Sequence, residues 1–161
     1  MNDPMSNEAS AKNIYFEDLR IGMIWDIGEA VYELDEMIDF ARRYDPEPFH
    51  IDEQWSRTGP FGEIIASGLL TLAKCRYLDQ LASAKFGLRN GVAAELKSIK
   101  FPNPARAGDI ISFHKECTDK RESRSKRDRG IVTFKTTGHN QDRLLMLETT
   151  ALLVYERRPK T

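Results

Sequence analysis

The segment from Ser67 to Phe86 places the strongest constraint on the fold, because it is a long apolar stretch with helical periodicity. Its apolar side chains recur at positions 69, 70, 72, 73, 77, 78, 81, 82 and 86, the spacing of a buried helix. A helix with so much apolar surface must be covered by another layer of structure. Four segments typical of strands follow it, at about 92–101, 109–119, 130–138 and 144–156. The sequence therefore predicts a sheet packed on a long helix.

Two further elements precede the long helix. The segment 24–34 alternates roughly between apolar and polar side chains and predicts a first strand. Asp35 is a suitable N-cap for a short helix that Pro46 ends. One strand, helices and a run of antiparallel strands indicate an α+β fold in which a curved sheet wraps a long central helix. At 161 residues, the length fits one domain, predicted over 14–158 after a disordered tail at 1–13.

Composition and charge argue against several partners and compartments. The net charge is −1, from 24 basic and 25 acidic side chains, so neither nucleic acid nor an anionic membrane is expected as a partner. Every apolar stretch is shorter than the roughly 20 residues that span a bilayer, and the polar N-terminus does not resemble a signal peptide. Cys75 and Cys117 lack CxxC spacing and the density of a disulfide framework. We therefore expect reduced thiols in a cytoplasmic protein.

A short motif between Asp45 and His50 carries the clearest chemical signal in the chain. Prolines 46 and 48 fix φ at roughly −65° and disfavour helix continuation, so we expect a stiff extended turn between the two side chains. Such a turn can bring a carboxylate and an imidazole to one water molecule. Together the two groups can remove one proton and return another, which is general acid and base catalysis.

This motif belongs to a longer pattern. Phe40-Ala41 leads into Tyr44-Asp45-Pro46-Glu47-Pro48-Phe49-His50, and Ile64-Ile65-Ala66-Ser67-Gly68-Leu69 follows at the start of the long helix. The pattern resembles the MaoC-like dehydratase and (R)-specific enoyl-CoA hydratase family over about 15–156, with further similar blocks at 100–109 and 123–132. The resemblance implies the hot-dog fold. It also implies a lyase that reversibly hydrates a trans-2-enoyl-CoA thioester to an (R)-3-hydroxyacyl-CoA.

The resemblance also implies roles for individual residues. Asp45 and His50 would share the water, and the backbone N–H of Gly68 would bind the thioester oxygen at the helix N-terminus. Three neighbours are expected to contact the substrate: Ser67, Phe49 and Trp55. No metal or organic cofactor is expected, because the thioester itself acidifies the α-carbon and coenzyme A is part of the substrate. A lone sheet of this kind leaves an edge strand exposed, so a two-fold homodimer is expected.

Several alternatives remain open at this stage. A hot-dog acyl-CoA thioesterase also uses an acidic residue to activate water. Glu47 stands where the family pattern usually has Asn, and this carboxylate could disable the pair and leave a non-catalytic acyl-CoA-binding subunit. A metal site could form from Asp45, Glu47, His50 and Asp52, although one imidazole among carboxylates lacks a firm ligand spacing.

The basic run from Arg121 to Arg129 has two interpretations. It could bind the phosphates of coenzyme A or, less readily, nucleic acid. Interleaved acidic residues and the lack of aromatic stacking partners favour a solvated hairpin loop. His114 and His139 are interpreted as structural or solvent-facing. Because no Walker-type, GxGxxG or GxSxG motif occurs, nucleotide hydrolysis and serine acyl transfer are poor fits.

Overall fold

The computed structural model describes residues 13–88 and 91–159, so the predicted tail lies outside the described residues except for its last position. In this part of the chain the strands are β1 (Ile24–Val31), β2 (Gly91–Lys100), β3 (Ile110–Glu122), β4 (Arg129–His139) and β5 (Leu145–Glu156). The helices are α1 (Leu34–Tyr44), α2 (Pro48–Ile51), α3 (Glu53–Thr58) and α4 (Gly68–Phe86), after a 3-10 turn at Phe16–Asp18.

The strands form one sheet with the order β1-β3-β4-β5-β2, and every neighbouring pair is antiparallel. β1 and β2 are therefore the two edges. The central helix α4 packs on one face of the sheet, where its buried side chains join those of β1, β3 and β5 in one apolar cluster. This is the hot-dog arrangement, and the predicted α+β fold with its long central helix is confirmed.

Local chemistry fixes both ends of α4. Ser67 is the N-cap, and its hydroxyl accepts a hydrogen bond from the Leu69 N–H at 3.1 Å. Gly87 closes the helix in the left-handed conformation, with φ of +75°, and its N–H donates to the Ser83 carbonyl. The start of the helix is thereby held at one defined place over the sheet.

The protein core consists of two apolar clusters. One contains side chains along α4, from Leu70 to Ala82, and the other contains Phe16 and Leu19 with side chains of β3, β4 and β5; Trp25 and Phe86 pack against both. Lys115 of β3 binds Asp79 of α4 at 2.9 Å, and both side chains are almost fully buried. Thr136 pairs with Lys115 across the strands, and Thr149 pairs with Thr136. The ion pair therefore joins the central helix to the middle of the sheet.

Both cysteines are free and buried, in line with the expectation of reduced thiols. Burial raises the pKa of the Cys75 thiol to about 12, with a smaller effect from the nearby Asp79 carboxylate. Burial also raises the pKa of Cys117. Because the thiolate is the reactive form, neither side chain is a suitable nucleophile at neutral pH.

Two local predictions were wrong, and one short helix was not predicted. Helix α1 begins at Leu34 with Glu33 as its N-cap, so Asp35 lies in the first turn rather than capping it. The expected extended turn before His50 contains a short helix, because Pro48 occupies its first turn, where no N–H is needed. The polar stretch after Ile51 is also helical, and the carboxylate of Asp52 caps it by accepting the Trp55 N–H at 2.9 Å.

Candidate active site

The backbone after α1 places Asp45 and His50 next to each other. Asp45 is the C-cap of α1, and its N–H donates to the Ala41 carbonyl at 2.8 Å. Its own carbonyl accepts the Glu47 N–H at 2.8 Å, which turns the chain, and the Glu47 carbonyl accepts the His50 N–H at 2.9 Å. These two consecutive turns bring the side chains of Asp45 and His50 together, although the residues are five positions apart in the sequence.

The side chains of Asp45 and His50 face each other. The Nε2 atom of His50 lies 3.5 Å from Oδ2 of Asp45. The other ring nitrogen, Nδ1, lies 2.7 Å from the carbonyl oxygen of Ile65. Because a carbonyl can only accept, Nδ1 carries a proton, and in the neutral ring Nε2 is then the free acceptor. His50 is buried, whereas the side chain of Asp45 is about one-third exposed.

Ser67 connects this pair to the central helix. Its hydroxyl donates to Oδ2 of Asp45 at 2.6 Å while it accepts the Leu69 N–H as the N-cap of α4. Ser67 is fully buried, and its hydrogen bond to Oδ2 orients the carboxylate of Asp45. The predicted contact between Ser67 and a substrate stays a prediction.

A cavity of about 270 Å³ opens at the N-terminus of α4. His50, Gly68, Thr71 and Met146 are among the residues that line it. Gly68 is the first residue of α4, where backbone N–H groups have no intrahelical acceptor and the helix dipole is positive. The cavity thus joins an imidazole to a helix N-terminus. Asp45 does not line it and reaches it through His50.

The segment after β2 forms the opposite wall of the cavity. The ring of Phe101 lies so close to Gly68 that a Cβ there would be 2.7 Å from it. The Ala105 carbonyl accepts the Ala66 N–H at 2.8 Å, and the Asn103 amide donates to the Leu145 carbonyl at 2.9 Å. These hydrogen bonds attach the wall to the segment that precedes α4 and to the start of β5.

The two aromatic residues expected at the substrate lie behind His50. Phe49 packs its ring edge against the His50 ring with centroids 4.5 Å apart, and Trp55 lies 6.2 Å from Phe49. Neither lines the cavity, so their contact with a substrate stays a prediction. The sequence assigned no role to Thr71, Phe101 or Met146, which all line the cavity. Phe101 lies in the block 100–109, which was identified only by its resemblance to the family.

The remaining sequence hypotheses have definite places in the structure. Glu47 is exposed and does not line the cavity. Within the ranges 13–88 and 91–159, no three His, Cys, Asp or Glu side chains converge as metal ligands. Over the same ranges, no helix is both long and apolar enough to cross a membrane. The acidic and basic residues of 121–129 lie at the end of β3, in the connecting hairpin and at the start of β4.

Fold and site together define a hot-dog protein in which an imidazole and a helix N-terminus line one cavity, and a carboxylate lies 3.5 Å from that imidazole. The family described as MaoC like domain matches residues 27–140, a span that includes Asp45, His50 and Gly68. The chain belongs to this family, as the sequence pattern had predicted.

Individual relatives carry hydratase and dehydratase names. The chain is 31% identical to the 3-hydroxybutyryl-CoA dehydratase of Methylorubrum extorquens, over 66% of this chain and 65% of that protein. It is 28% identical to the (R)-specific enoyl-CoA hydratase of Rhodospirillum rubrum, over 76% and 79% of the two chains. The crystal structure of the MaoC-like dehydratase from Rhodospirillum rubrum superposes with a TM-score of 0.81 at 31% identity, covering 92% of this chain and 100% of that one. These similarities support a hydro-lyase in broad terms.

Proposed function

We propose that the protein is a hydro-lyase that reversibly adds water to a trans-2-enoyl-CoA thioester and forms an (R)-3-hydroxyacyl-CoA. The observation that carries this proposal is the pairing of Asp45 with His50, whose ring lines the same cavity as Gly68. The Nε2 and Oδ2 atoms are 3.5 Å apart, which allows both to hydrogen-bond one water molecule. The thioester carbonyl would lie at the N-terminus of α4. The (R) configuration of the product is proposed from the similarity to the named hydratase.

The protonation of His50 supports a role as the base. Its Nδ1–H donates to the Ile65 carbonyl, so Nε2 is free to accept a proton from the water. As the water oxygen bonds to the β-carbon, the electrons of the double bond move onto the thioester oxygen. Asp45 stabilises the resulting imidazolium through its negative charge. Nε2 then returns the proton to the α-carbon, so that the elements of one water have been added.

Gly68 supports the charge that develops on the thioester oxygen. An N–H at the first position of α4 can donate to that oxygen, and the positive end of the helix dipole adds to the stabilisation. Such donors contribute most where charge appears only in the transition state. The proton that reaches the α-carbon comes from the added water, the chain supplies the base and the N–H donor, and coenzyme A enters as part of the substrate.

The test is a hydration assay with Asp45→Asn and His50→Ala variants. We expect each change to lower kcat by about 100-fold or more, because each removes one partner of the reacting water. Loss of enoyl absorbance measures hydration, and chiral analysis of the product measures its configuration. The matched control is His114→Ala, which removes an exposed imidazole on β3 that does not line the cavity.

Unfolding curves of the variants separate a lost reaction from a lost fold. Hydration rates that are unchanged in either variant would contradict the proposal. Release of free thiol without loss of the enoyl group would indicate a thioesterase. Binding of acyl-CoA with neither reaction would indicate a non-catalytic subunit.

We further propose that the protein forms a two-fold homodimer through β2. This strand is an edge of the sheet, and most of its side chains are exposed, including the large apolar ones of Val92, Leu96 and Ile99. An edge with apolar side chains is a template for pairing with another strand, and a second copy supplies an identical one.

We infer a cytoplasmic location, because two free cysteines fit a reducing compartment.

A further inference from the structure

A second cavity, of about 670 Å³, lies beside the hairpin that connects β3 and β4. We call it the hairpin cavity. The residues that line it are mostly charged: Glu17, Glu122, Ser123, Arg124, Arg127, Asp128, Arg157, Arg158 and Pro159. Four arginines and three carboxylates thus surround one open space.

The carboxylates of the hairpin cavity already form ion pairs with arginine side chains. Arg157 binds both Glu17, at 2.9 Å, and Glu122, at 3.1 Å. Asp128 binds Arg129 at 2.8 Å. Hydrogen bonds from Arg157 and from the next backbone N–H lower the pKa of Glu17 despite some burial, and the hydrogen bond from Arg129 lowers that of Asp128. All three carboxylates are thus paired with arginines.

Two arginines of the hairpin cavity are left with free hydrogen-bond donors. Arg158 binds Asp18 at 2.7 Å, but Arg124 and Arg127 have no carboxylate within ion-pair distance among residues 13–88 and 91–159. A guanidinium group presents planar N–H donors that match the oxygens of a phosphate ester. The cavity therefore has the charge and the donors for a phosphate group.

The hairpin cavity is too far from the candidate active site of the same protomer to serve it. Met146, near the start of β5, lines the first cavity, whereas Arg157, just after the end of β5, lines the second. The length of strand between them is roughly 35 Å. The pantetheine arm of coenzyme A, about as long as four or five extended residues, spans roughly 15 Å.

In a two-fold dimer through β2, the hairpin cavity of one protomer lies nearer to the active-site cavity of the other. β2 starts at Gly91, at the hairpin end of the sheet, and stops at Lys100, next to the Phe101 wall of the active site. Antiparallel pairing of two β2 strands places the hairpin end of one protomer beside the active-site end of the other. The partner's β4 is then three strand spacings away from β2, roughly 14 Å. This distance is comparable to the reach of pantetheine.

We propose that the hairpin cavity, through Arg124 and Arg127, binds the phosphate groups of the coenzyme A ester whose acyl group lies in the active-site cavity of the partner protomer. This inference rests on the proposed function and on the proposed dimer. Each active site would then take its proton carriers from one protomer and its phosphate contacts from the other.

The first experiment compares trans-2-butenoyl-CoA with trans-2-butenoyl-pantetheine, which has the same reacting group but lacks the nucleotide phosphates. In the double variant Arg124→Ala, Arg127→Ala, we expect KM for the CoA ester to rise about 10-fold or more, because charge-assisted hydrogen bonds to phosphate are lost. The kcat for that ester and both constants for the pantetheine ester should stay unchanged. Arg121→Ala is the matched control, since Arg121 is exposed near the end of β3, three residues before Arg124, but does not line the cavity.

A second experiment uses mixed dimers to decide which protomer supplies the arginines. One chain carries Asp45→Asn, and the other carries Arg124→Ala and Arg127→Ala, so that only the second chain has an intact acid and base pair. The proposal predicts that this dimer keeps the low KM of the wild type for the CoA ester. If all three changes are placed in one chain and paired with a wild-type chain, KM should be high.

The outcomes separate this inference from the proposed function. Hydration of the pantetheine ester by the wild type supports the hydratase reaction without any phosphate contact. A double variant with wild-type KM for the CoA ester would overturn the inference and leave the reaction in place. So would a high KM in the first mixed dimer, or a protein that is active as a monomer. Competition by adenosine 3′,5′-bisphosphate against the CoA ester, lost in the double variant, would identify the nucleotide part as the bound group.

Discussion

The hydroxyl of Ser67 makes two hydrogen bonds with different consequences. It accepts the Leu69 N–H and so caps α4, and it donates to Oδ2 of Asp45. The first bond stabilises the helix, and the second orients a carboxylate that is proposed to act on water. A substitution that separates the two bonds can show which one affects the reaction.

Glycine at position 67 provides that separation. Glycine as an N-cap costs only a few tenths of a kcal/mol relative to serine, so Ser67→Gly should change the free energy of unfolding little. It removes the donor to Asp45, and we expect kcat to fall by about 10-fold. Ser67→Thr keeps the hydroxyl and should restore most of the rate. Equal kcat for Ser67→Gly and the wild type, measured in the hydration assay, would show that the carboxylate needs no orientation by this residue.

Gly68 is constrained by its neighbour rather than by its own backbone angles. A Cβ at this position would lie 2.7 Å from the ring of Phe101, closer than real contacts allow. Gly68→Ala should therefore displace the Phe101 wall from the N-terminus of α4 and lower kcat/KM by about 10-fold or more. Phe101→Leu in the same chain relieves the clash and should recover part of the loss. If Gly68→Ala alone is fully active, the backbone N–H is not positioned by this close packing.

At the level of the elements, the buried ion pair between Asp79 and Lys115 decides how α4 is attached to the sheet. Asp79 also binds Arg76, and the ammonium group of Lys115 lies 4.5 Å from the centre of the Phe134 ring. Removing one member of a buried pair leaves an uncompensated charge in the core. Replacing both members by apolar side chains leaves none.

Denaturant unfolding should distinguish these two cases. We expect Asp79→Asn to lower the free energy of unfolding by about 3–5 kcal/mol, because the Lys115 ammonium stays buried without its partner. The double variant Asp79→Leu, Lys115→Met should be markedly more stable than the single one. A single substitution that costs less than about 1 kcal/mol would mean that the ammonium finds another partner or reaches water.

For the whole molecule, the exposed strand β2 is the feature that a single chain leaves incomplete. β1 is also an edge, with Ile24 exposed on it, but only β2 ends at the wall of the active site. Pairing through β2 would therefore affect the reaction, whereas pairing through β1 would not.

A charge placed on each edge in turn tests this difference. Leu96→Asp should convert the dimer to a monomer, because two buried carboxylates would face each other near the two-fold axis. Ile24→Asp is the matched control on the other edge and should leave the dimer intact. Light scattering measures the mass of each variant. A dimer that survives Leu96→Asp but dissociates with Ile24→Asp would place the interface on β1.

The α+β architecture, the long helix α4 and the order of the strands along the chain were predictable from the sequence, and the resemblance to the family identified the architecture as the hot-dog fold. These features depend on apolar periodicity and on turn residues, which are local properties. The family could be predicted for a similar reason, because the spacing from Asp45 through His50 to Gly68 is written along the chain. The short helices α2 and α3 were missed because Pro48 and Asp52 can begin a helix as well as prevent one.

The contacts between individual atoms of the site could not be read from the sequence. The proton on Nδ1 of His50 depends on the Ile65 carbonyl, and the orientation of Asp45 depends on Ser67, contacts between residues 15 and 22 positions apart. The Phe101 wall reaches Gly68 because β2 lies at the edge of the sheet, which periodicity does not reveal. Free donors on Arg124 and Arg127 likewise follow from where each carboxylate finds its partner. Contacts of this kind depend on how the elements pack, and packing is a property of the whole chain.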